Sequence, residues 1–374
     1  MVSLARSTLL HEWRRYLAAV LAITFAGLLV VVQLGLLLGL FATVSVVVDS
    51  SDADLWIGFR NTQSVDLGRP VSRFSDMRAW SHPEVERIER YATAYGDLRR
   101  ADGVPVSVLV NAIDTAPGAL AYANLLTPAQ RNLLREPGAA LIDVADMNKL
   151  RATIGTEVEI NGRRVHIAGV VEGLRGVGGV NVITSFATAR RLAPETAEQT
   201  MFSLVRLRKG ADIDKVSRDI ADPLPHPRYS VWTAPDLSER SQTYWLLESG
   251  AGIGTGFASL LALVVGIVIA SQTLSAAILA SIKEFATLRA LGIPHAALRR
   301  VVIEQSLWVG VTGLLITSIL TAGMAWLGDS LRIAMKFPLT MLTVVAISML
   351  TVAIISGIMA LRPLAGAEPA SLLR

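Results

Sequence analysis

A glycine-rich segment at residues 173–179 is the feature of this sequence that could cradle a phosphate. Closely spaced glycines let backbone N–H groups face phosphate oxygens, and the segment contains Gly173, Gly176, Gly178 and Gly179. The lysine and hydroxyl residue of a nucleotide-binding P-loop do not follow it, and the pattern GxxxxGK(S/T) occurs nowhere in the chain. We therefore expect a flexible loop between two strands, with a contact surface for a substrate or partner as the alternative.

Side chains with catalytic potential are scattered along the chain. The absence of cysteine excludes disulfides, thiolate metal sites and cysteine nucleophiles, and the sequence has neither an HExxH motif nor a GxSxG elbow. The histidines show no metal-ligand spacing: His11, His82, His166, His226 and His295. We predict no catalytic residue, no metal site and no bound cofactor in this chain.

The composition is that of a membrane protein. Hydrophobic residues make up 52% and charged residues 18% of the 374 residues, and the mean hydropathy is +0.48, too apolar for an ordinary soluble protein. The net charge of +4 is carried by basic residues that lie beside apolar runs or among acids. We therefore expect no nucleic-acid binding.

Four uncharged runs are long enough to cross a bilayer, which takes about 20 helical residues. They predict transmembrane helices at residues 17–48, 249–282, 305–328 and 337–361. The first run exceeds the length that a hydrocarbon core of roughly 30 Å requires, so one end should project as a stalk. It is also too long for the apolar region of a cleaved signal peptide.

The spacing of these runs predicts a 1 + 3 topology, with one large domain between the first and second helices. Lys and Arg accumulate before the first helix, between the second and third, and after the fourth, which predicts cytoplasmic termini. The cytoplasmic segments would be 1–16, 283–304 and 362–374. The segments outside would be the domain, 49–248, and a short loop, 329–336.

The domain at 49–248 reads as a mixed α+β fold. A hairpin is predicted at 156–171, where apolar residues alternate on both sides of Asn161-Gly162, a pair that accepts the positive φ angles of a tight turn. Further strands are predicted at 54–59, 104–111, 139–143, 181–184 and 203–208. Helices are predicted at 83–91, 128–135, 188–192 and 212–220.

The segment between the second and third runs predicts a short amphipathic helix. Phe285, Leu288 and Leu291 recur at helical spacing, and Gly292 and Pro294 follow them as a stop and a new start. Such a helix could lie on the membrane surface. The alternative is a helix that inserts its apolar anchors into the groove of a partner.

This segment resembles the coupling segment of the MacB/FtsX-type ABC permeases, the type VII ABC superfamily, and especially its DevC-like branch. The tail at 362–374 also resembles the family's ending, with Glu368 where aspartate is usual, and residues 154–170 and 54–57 resemble its periplasmic core. The residues that would couple to an ATPase are Lys283, Glu284, Phe285, Ala286, Thr287, Leu288, Arg289, Ala290, Leu291 and Gly292.

The resemblance implies a permease subunit in the bacterial inner membrane that is not itself an enzyme. Its partners would be a second permease copy and two copies of a separate ABC ATPase, which would bind the ATP and Mg. The implied function is export of an amphiphilic or lipid-like substrate by mechanotransmission to the periplasmic domain. Membrane lipid, a periplasmic adaptor (membrane-fusion protein) and an outer-membrane duct would complete the system.

Two other functions remain open for such a chain. One is an FtsX-like transmembrane switch that transports nothing and regulates a cell-wall hydrolase. The other is a lipoprotein-releasing or peptide-sensing permease. The sequence does not identify the substrate, because the expected path runs along apolar surfaces between protomers.

Two groups of glycines could matter mechanically. Gly35 and Gly39 form a GxxxG pattern in the first run, which is typical of close packing. A second group opens the second run and could be either a packing surface or a hinge at the membrane exit: Gly250, Gly252, Gly254 and Gly256.

We predict that Phe285→Asp or Leu288→Asp uncouples the chain from its ATPase while membrane insertion continues. An ionised carboxylate is too costly to bury in the apolar groove of a partner. The measurement is copurification of the ATPase with the tagged chain, together with ATP hydrolysis in the purified complex. Normal copurification and normal hydrolysis in both variants would contradict the docking assignment.

Overall fold

The computed structural model describes residues 13–72, 74–100, 102–176, 179–194, 200–280, 287, 291, 293–331 and 333–360. The predictions for residues 1–12, for most of 283–292 and for 362–374 lie outside these residues, as does Gly178. The chain divides into two compact units. The α/β unit is Leu40–Gly252, and the helical unit is Met1–Gly39 together with Ile253–Arg374.

The helices and strands of both units are numbered in chain order. The helices are α1 (Trp13–Ala42), α2 (Val46–Asp49), α3 (Met77–Trp80), α4 (Pro128–Leu133), α5 (Met147–Leu150), α6 (Phe186–Leu192), α7 (Ile213–Ile220), α8 (Ala234–Thr243), α9 (Gly250–Ala280), α10 (His295–Ser330) and α11 (Leu339–Ala360). The strands are β1 (Leu55–Phe59), β2 (Val85–Arg99), β3 (Pro105–Ile113), β4 (Ala139–Asp143), β5 (Glu157–Ile160), β6 (Arg163–Val171), β7 (Val180–Ser185), β8 (Phe202–Leu207) and β9 (Tyr229–Thr233).

Helices α1, α9, α10 and α11 are long and apolar enough to cross a membrane. Helix α1 ends at Ala42, short of the predicted end at residue 48, and a turn separates it from α2. Helix α10 begins at His295, before the apolar run at 305–328. Pro294 occupies its N-cap position, and the exposed Arg299 and Arg300 lie in its first two turns.

Small residues bring backbones together inside the helical unit. A Cβ atom added to Gly35 would lie 2.3 Å from the ring of Phe337, and one added to Gly39 would lie 2.3 Å from the carbonyl oxygen of Ala334. The Lys336 N–H donates to the Gly35 carbonyl at 3.0 Å. The GxxxG pattern is closely packed, but its partner is the non-helical segment that leads into α11 and not another helix.

Helices α1 and α10 also cross at small and hydroxyl residues. Thr24 Oγ1 donates to the Gly313 carbonyl at 3.2 Å, and Thr317 Oγ1 donates to the Thr24 carbonyl at 3.3 Å. A Cβ atom on Gly313 would lie 2.8 Å from Ile23. Hydrogen bonds between helices at small residues are the usual means by which apolar helices associate.

The described residues of the α/β unit form a nine-stranded arrangement in which β2 belongs to two sheets. One sheet has the order β9-β1-β8-β2, and the other runs β2-β5-β6-β4-β7-β3 and closes because β3 also pairs with β2. Strands β3 and β7 are parallel, as are β4 and β6. All the other pairings are antiparallel.

The predicted hairpin at 156–171 is confirmed as β5 and β6. Asn161 and Gly162 adopt φ angles of 48° and 74°, and Ile160 pairs with Arg163 across the turn. The other five predicted strands are confirmed as β1, β3, β4, β7 and β8, and three predicted helices are confirmed as α4, α6 and α7.

The helix predicted at 83–91 is wrong, because this segment is the first half of β2. Its Glu and Arg residues favour a helix locally, and a bulge between Val85 and Arg87 breaks the alternation expected of a strand. Glu89 is only 4% exposed and faces inward. Its carboxylate accepts hydrogen bonds from the Leu120 and Ala121 N–H groups at 2.6 and 3.2 Å, so a long-range contact outweighs the local preference.

The largest core cluster of the α/β unit surrounds Trp56, which is fully buried on β1. Its indole contacts the rings of Tyr91 and Phe202 edge to face, at centroid distances of 6.0 and 5.6 Å. Val47 and Val48 of α2 and Leu237 of α8 belong to the same cluster. The core therefore includes the segments at both ends of the unit.

Candidate functional site

The described residues of the glycine-rich segment lie between β6 and β7, as predicted, but internal contacts hold them in place, whereas a flexible loop was expected. A Cβ atom on Gly176 would lie 2.6 Å from the Asn181 side chain, and Gly173 has a φ of 88°. The Leu174 N–H donates to the Asp143 carboxylate at 2.6 Å, and Asn181 donates to the Leu174 carbonyl at 2.9 Å. Because this amide already binds an internal carboxylate, the loop is poorly suited to a phosphate.

The histidines of the α/β unit are held apart. His82 lies 3.6 Å from Asp219, and His166 lies 3.4 Å from Glu136. Among the residues that the structure describes, no group of three His, Asp or Glu side chains is placed to share a metal ion.

The four glycines predicted as a possible hinge all lie in the first two turns of α9. A Cβ atom on Gly252 would lie 2.0 Å from the Trp245 carbonyl oxygen, so this position requires glycine. A Cβ atom on any of the other three would meet open space: Gly250, Gly254 and Gly256. Packing therefore accounts for one of the four, and the hinge stays a prediction.

A polar cluster joins the segment that follows α1 to the helix that precedes α9. We call it the stalk junction and define it as Ser45, Asp49, Ser238 and Gln242. Ser45 and Ser238 donate to the two carboxylate oxygens of Asp49 at 2.8 and 2.5 Å. The Gln242 side-chain amide donates to both serine hydroxyls, at 2.8 and 3.1 Å. The junction thus joins residues that are 189 positions apart in the sequence.

Burial strengthens the stalk junction. Ser45 is fully buried and Ser238 is 8% exposed, so their bonds to an ionised carboxylate are partly shielded from water. Because Asp49 itself is exposed, each of these hydrogen bonds contributes about 0.5–1.5 kcal/mol, the range of an ordinary intramolecular hydrogen bond. Because the neighbouring Val47, Val48 and Leu237 lie in the core around Trp56, the polar contacts are continuous with apolar packing.

Helix α8 is also fastened to the segment after β1. Ser241 Oγ accepts the Val65 N–H at 3.0 Å, and the Arg240 guanidinium donates to the Thr62 carbonyl at 2.7 Å. The Trp245 indole N–H donates to the Asp66 carboxylate at 3.1 Å. The chain that leads toward α9 is therefore anchored on two sides.

A break in the helical path separates α8 from α9. Tyr244–Glu248 forms a π-helical turn, and Ser249 is extended, with φ −81° and ψ 144°. The Ser249 hydroxyl then accepts the Gly252 N–H at 3.0 Å and caps α9. Single π-helical turns are rare and occur frequently at functional sites.

The sequence predictions missed β9, α8 and every residue of the stalk junction. A local signal for α8 exists in Thr233-Ala-Pro-Asp236: Thr233 Oγ1 accepts the Asp236 N–H at 3.2 Å, and proline lies in the first turn. No comparable pattern marks Asp49 or Ser238, whose partnership depends on the fold. The junction has the chemistry of a clamp, because it holds a carboxylate with hydroxyl and amide donors.

Of the predicted coupling segment, the structure describes Thr287 and Leu291. The Leu291 N–H donates to the Thr287 carbonyl at 3.1 Å, and Leu291 is 77% exposed. The other eight predicted residues lie outside the described part of the chain. Their role in coupling stays a prediction.

Comparison with known families assigns both parts of the chain. The model of the MacB-like periplasmic core domain matches residues 16–222, and that of the FtsX-like permease C-terminal region matches residues 256–369. The chain belongs to the MacB/FtsX-type ABC permease family. It is therefore the permease component of an ABC-type system, in a family whose permeases are generally not catalytic themselves.

Membership also bears on location and assembly. Four apolar helices in a chain of this family indicate a multi-pass inner-membrane protein, and the family implies an ATPase partner and dimerisation. Nothing in the comparisons assigns the permease to the DevC-like branch, which stays a prediction.

Three solved structures resemble part of the permease at low identity. They are the periplasmic region of MacB from Actinobacillus actinomycetemcomitans (10% identity, 51% of this chain and 94% of that chain, TM-score 0.36), the extracellular domain of the noncanonic ABC-type transporter YknZ from Gram-positive bacteria (14%, 48% and 98%, 0.34), and a domain of a putative permease from Porphyromonas gingivalis (16%, 48% and 88%, 0.33). No curated protein matches the sequence.

We expect Asp49→Ala and Ser238→Ala to destabilise the α/β unit of the permease by about 1–2 kcal/mol each. Because both remove the same hydrogen bond, the double variant should lose less than the sum, with a coupling of about 1 kcal/mol. The measurement is denaturant unfolding of the purified chain in detergent, followed by total tryptophan fluorescence, to which Trp56 and six other tryptophans contribute.

Ser107→Ala, at an exposed serine of β3, is the matched control, and its effect should add to that of Asp49→Ala. If the destabilisation by Ser238→Ala also adds fully to that by Asp49→Ala, as the effect of Ser107→Ala should, the stalk junction contributes no specific contact.

Proposed function

We propose that the permease couples ATP hydrolysis by a separate ATPase to export of an amphiphilic or lipid-like substrate. The coupling would be mechanical, with the α/β unit displaced through the segments that join it to α1 and α9. The observation that carries this proposal is the stalk junction, where Asp49 is bound by Ser45 on one segment and Ser238 on the other. A clamp of this kind makes the two segments act as one.

A push can pass from one segment to the domain only if the contact between them is stiffer than the parts it moves. The hydrogen bonds of the stalk junction and the burial of Val47 and Val48 in the core both support such stiffness. Close-packed cores transmit displacement because they resist compression. The π-helical turn and extended Ser249 supply a break on the α9 side, where the backbone can change direction.

The proposed topology is 1 + 3, with the α/β unit outside the inner membrane and both termini in the cytoplasm. Arg14 and Arg15 near the start of α1, and Arg299 and Arg300 near the start of α10, support this orientation, since Lys and Arg accumulate on the cytoplasmic side. The segment at 283–292 would then face the ATPase.

The complete system that we propose contains two copies of the permease and two copies of the ATPase, which binds the ATP and Mg. A periplasmic adaptor and an outer-membrane duct would receive the substrate, and membrane lipid would surround the four apolar helices. ATP binding would favour one arrangement of α1 and α9, and the substrate would be expelled as the population shifts.

Copurification of the tagged permease from its native membrane in mild detergent distinguishes this function from its alternatives. We expect mass spectrometry to identify an ABC ATPase together with a membrane-fusion adaptor. An ATPase with a peptidoglycan hydrolase would replace the exporter with an FtsX-like switch. An ATPase alone would remove the support for the adaptor, and no ATPase at all would contradict mechanical coupling.

We expect the double variant Asp49→Cys/Ser238→Cys to hydrolyse ATP normally but to transport less substrate per ATP, because the clamp is lost. A short bifunctional methanethiosulfonate reagent should then bridge the two thiols and restore transport, and a reductant should abolish it again. The measurement is transport of a fluorescent amphiphile by the copurified complex in proteoliposomes, normalised to ATP hydrolysis.

The permease contains no cysteine, so the unmodified chain is an unreactive control. The single variants Asp49→Cys and Ser238→Cys react with the reagent but form no bridge, and they control for modification itself. Undiminished transport per ATP in the double variant, or a bridged form that stays inactive, would overturn transmission through the stalk junction.

A further inference from the structure

A cleft of about 480 Å³ opens in the α/β unit, and its lining includes Asp52, three residues after the end of α2. Arg131 and Arg135, from α4 and the residues after it, line the cleft together with Arg206 of β8. The remaining wall is mostly apolar and comes from the loop between β3 and α4: Pro117, Ala119, Ala123 and Leu126. The lining thus combines cationic and apolar residues.

Arg131 has no carboxylate within ion-pair distance among the residues that the structure describes. It is only 7% exposed, and its guanidinium donates to the carbonyls of Asp114 and Ala121 at 2.9 and 2.7 Å. Burial lowers its pKa, while the more distant charges of Glu89 and Asp114 act to raise it. Arg131 is therefore a buried cation whose direct partners are carbonyl groups, with Glu89 and Asp114 offsetting part of its charge from farther away.

Arg135 and Arg206 keep donors for a ligand. Arg135 is exposed and donates from Nε and one Nη to the Thr115 carbonyl, both at 3.3 Å, so three of its five N–H groups are unused in these bonds. Arg206 pairs with Asp52. Asp52 is the one carboxylate that lines the cleft, against three arginines, so the lining carries a net charge of 3 − 1 = +2.

The nearby acids are already engaged elsewhere. The Asp114 carboxylate accepts a hydrogen bond from Arg87 at 3.2 Å, and Glu89 accepts the Leu120 and Ala121 N–H groups. Burial is the main cause that raises the pKa of Glu89, and its two backbone hydrogen bonds act to lower it. Within the lining itself, three arginines are therefore balanced by one carboxylate.

We propose that this cleft binds a phosphate group, with the arginines on the phosphate and the apolar wall against the organic part of an anionic amphiphile. Arginine is the side chain best matched to phosphate oxygens, through paired N–H donors in a fixed fork. This proposal rests on the proposed export function in one respect only, namely that the ligand is an amphiphile. Phosphate recognition itself follows from the cleft.

Hydrogen bonds link the loop beside the cleft to the residues that follow α2. The Asp52 N–H donates to the Leu120 carbonyl at 3.0 Å, and the Asn124 N–H donates to the Ser50 carbonyl at 2.8 Å. The apolar wall is therefore hydrogen-bonded to the residues that directly follow α2. A bound phosphate would lie beside the segment that the ATPase is proposed to move.

The test is direct binding to the purified full-length chain in uncharged maltoside micelles, without ATP and without transport. The probes are dihexanoylphosphatidic acid and inorganic phosphate, measured by isothermal titration calorimetry. We expect Arg135→Glu to weaken binding at least about tenfold, as the loss of a charge-assisted hydrogen bond implies. Arg164→Glu is the matched control, because its side chain is 87% exposed and does not line the cleft.

Arg135→Lys keeps the charge but loses the fork, and it should bind with intermediate affinity. Binding of the lipid alone identifies a phospholipid-like headgroup, and binding of both probes identifies a general phosphate site; either result supports the cleft. No binding of either probe, or equal losses in Arg135→Glu and Arg164→Glu, overturns the proposal. Because the assay needs no transport, its failure is distinct from failure of the export function.

Discussion

The continuity of strand β2 is the constraint on which the α/β unit depends. Its first half pairs with β8, and its second half pairs with β3 and β5, so one backbone is shared by both sheets. Glu89 lies in the middle and fixes the loop before α4 by accepting two of its N–H groups. If β2 bent at this point, the two sheets would move separately. As one strand, it makes them a single stiff body.

The stalk junction adds a second connection, between α2 and α8. Val47 and Val48 lie in the core cluster of Trp56, so α2 is part of the folded domain and not a free connector. A charge-assisted contact between Asp49 and Ser238 is directional, whereas apolar contacts permit sliding. Together they fix both the distance and the rotation of α8 relative to α2. Mechanical coupling requires both, because a joint that only resists separation transmits no twist.

What could be predicted from the sequence follows from how local each signal is. The hairpin was predictable because Asn161-Gly162 determines its own turn and the neighbouring residues alternate. The four apolar helices were predictable because spanning depends on length and composition. Strand β2 was not, because the energy that holds Glu89 inside comes from amides about 30 residues away. The stalk junction is the extreme case, since 189 positions separate Asp49 from Ser238.

Binding of a phosphate in the cleft would be thermodynamically coupled to a displacement of the residues that follow α2. The loop that carries the apolar wall is hydrogen-bonded to Ser50 and Asp52, so a displacement of these residues would act on the cleft. If that displacement changes the affinity for a ligand by some factor, occupancy must shift the equilibrium of the displacement by the same factor. The ligand would then bias the conformations that the ATPase selects. A substrate bound at this point could promote its own transport without contacting the helices that span the membrane.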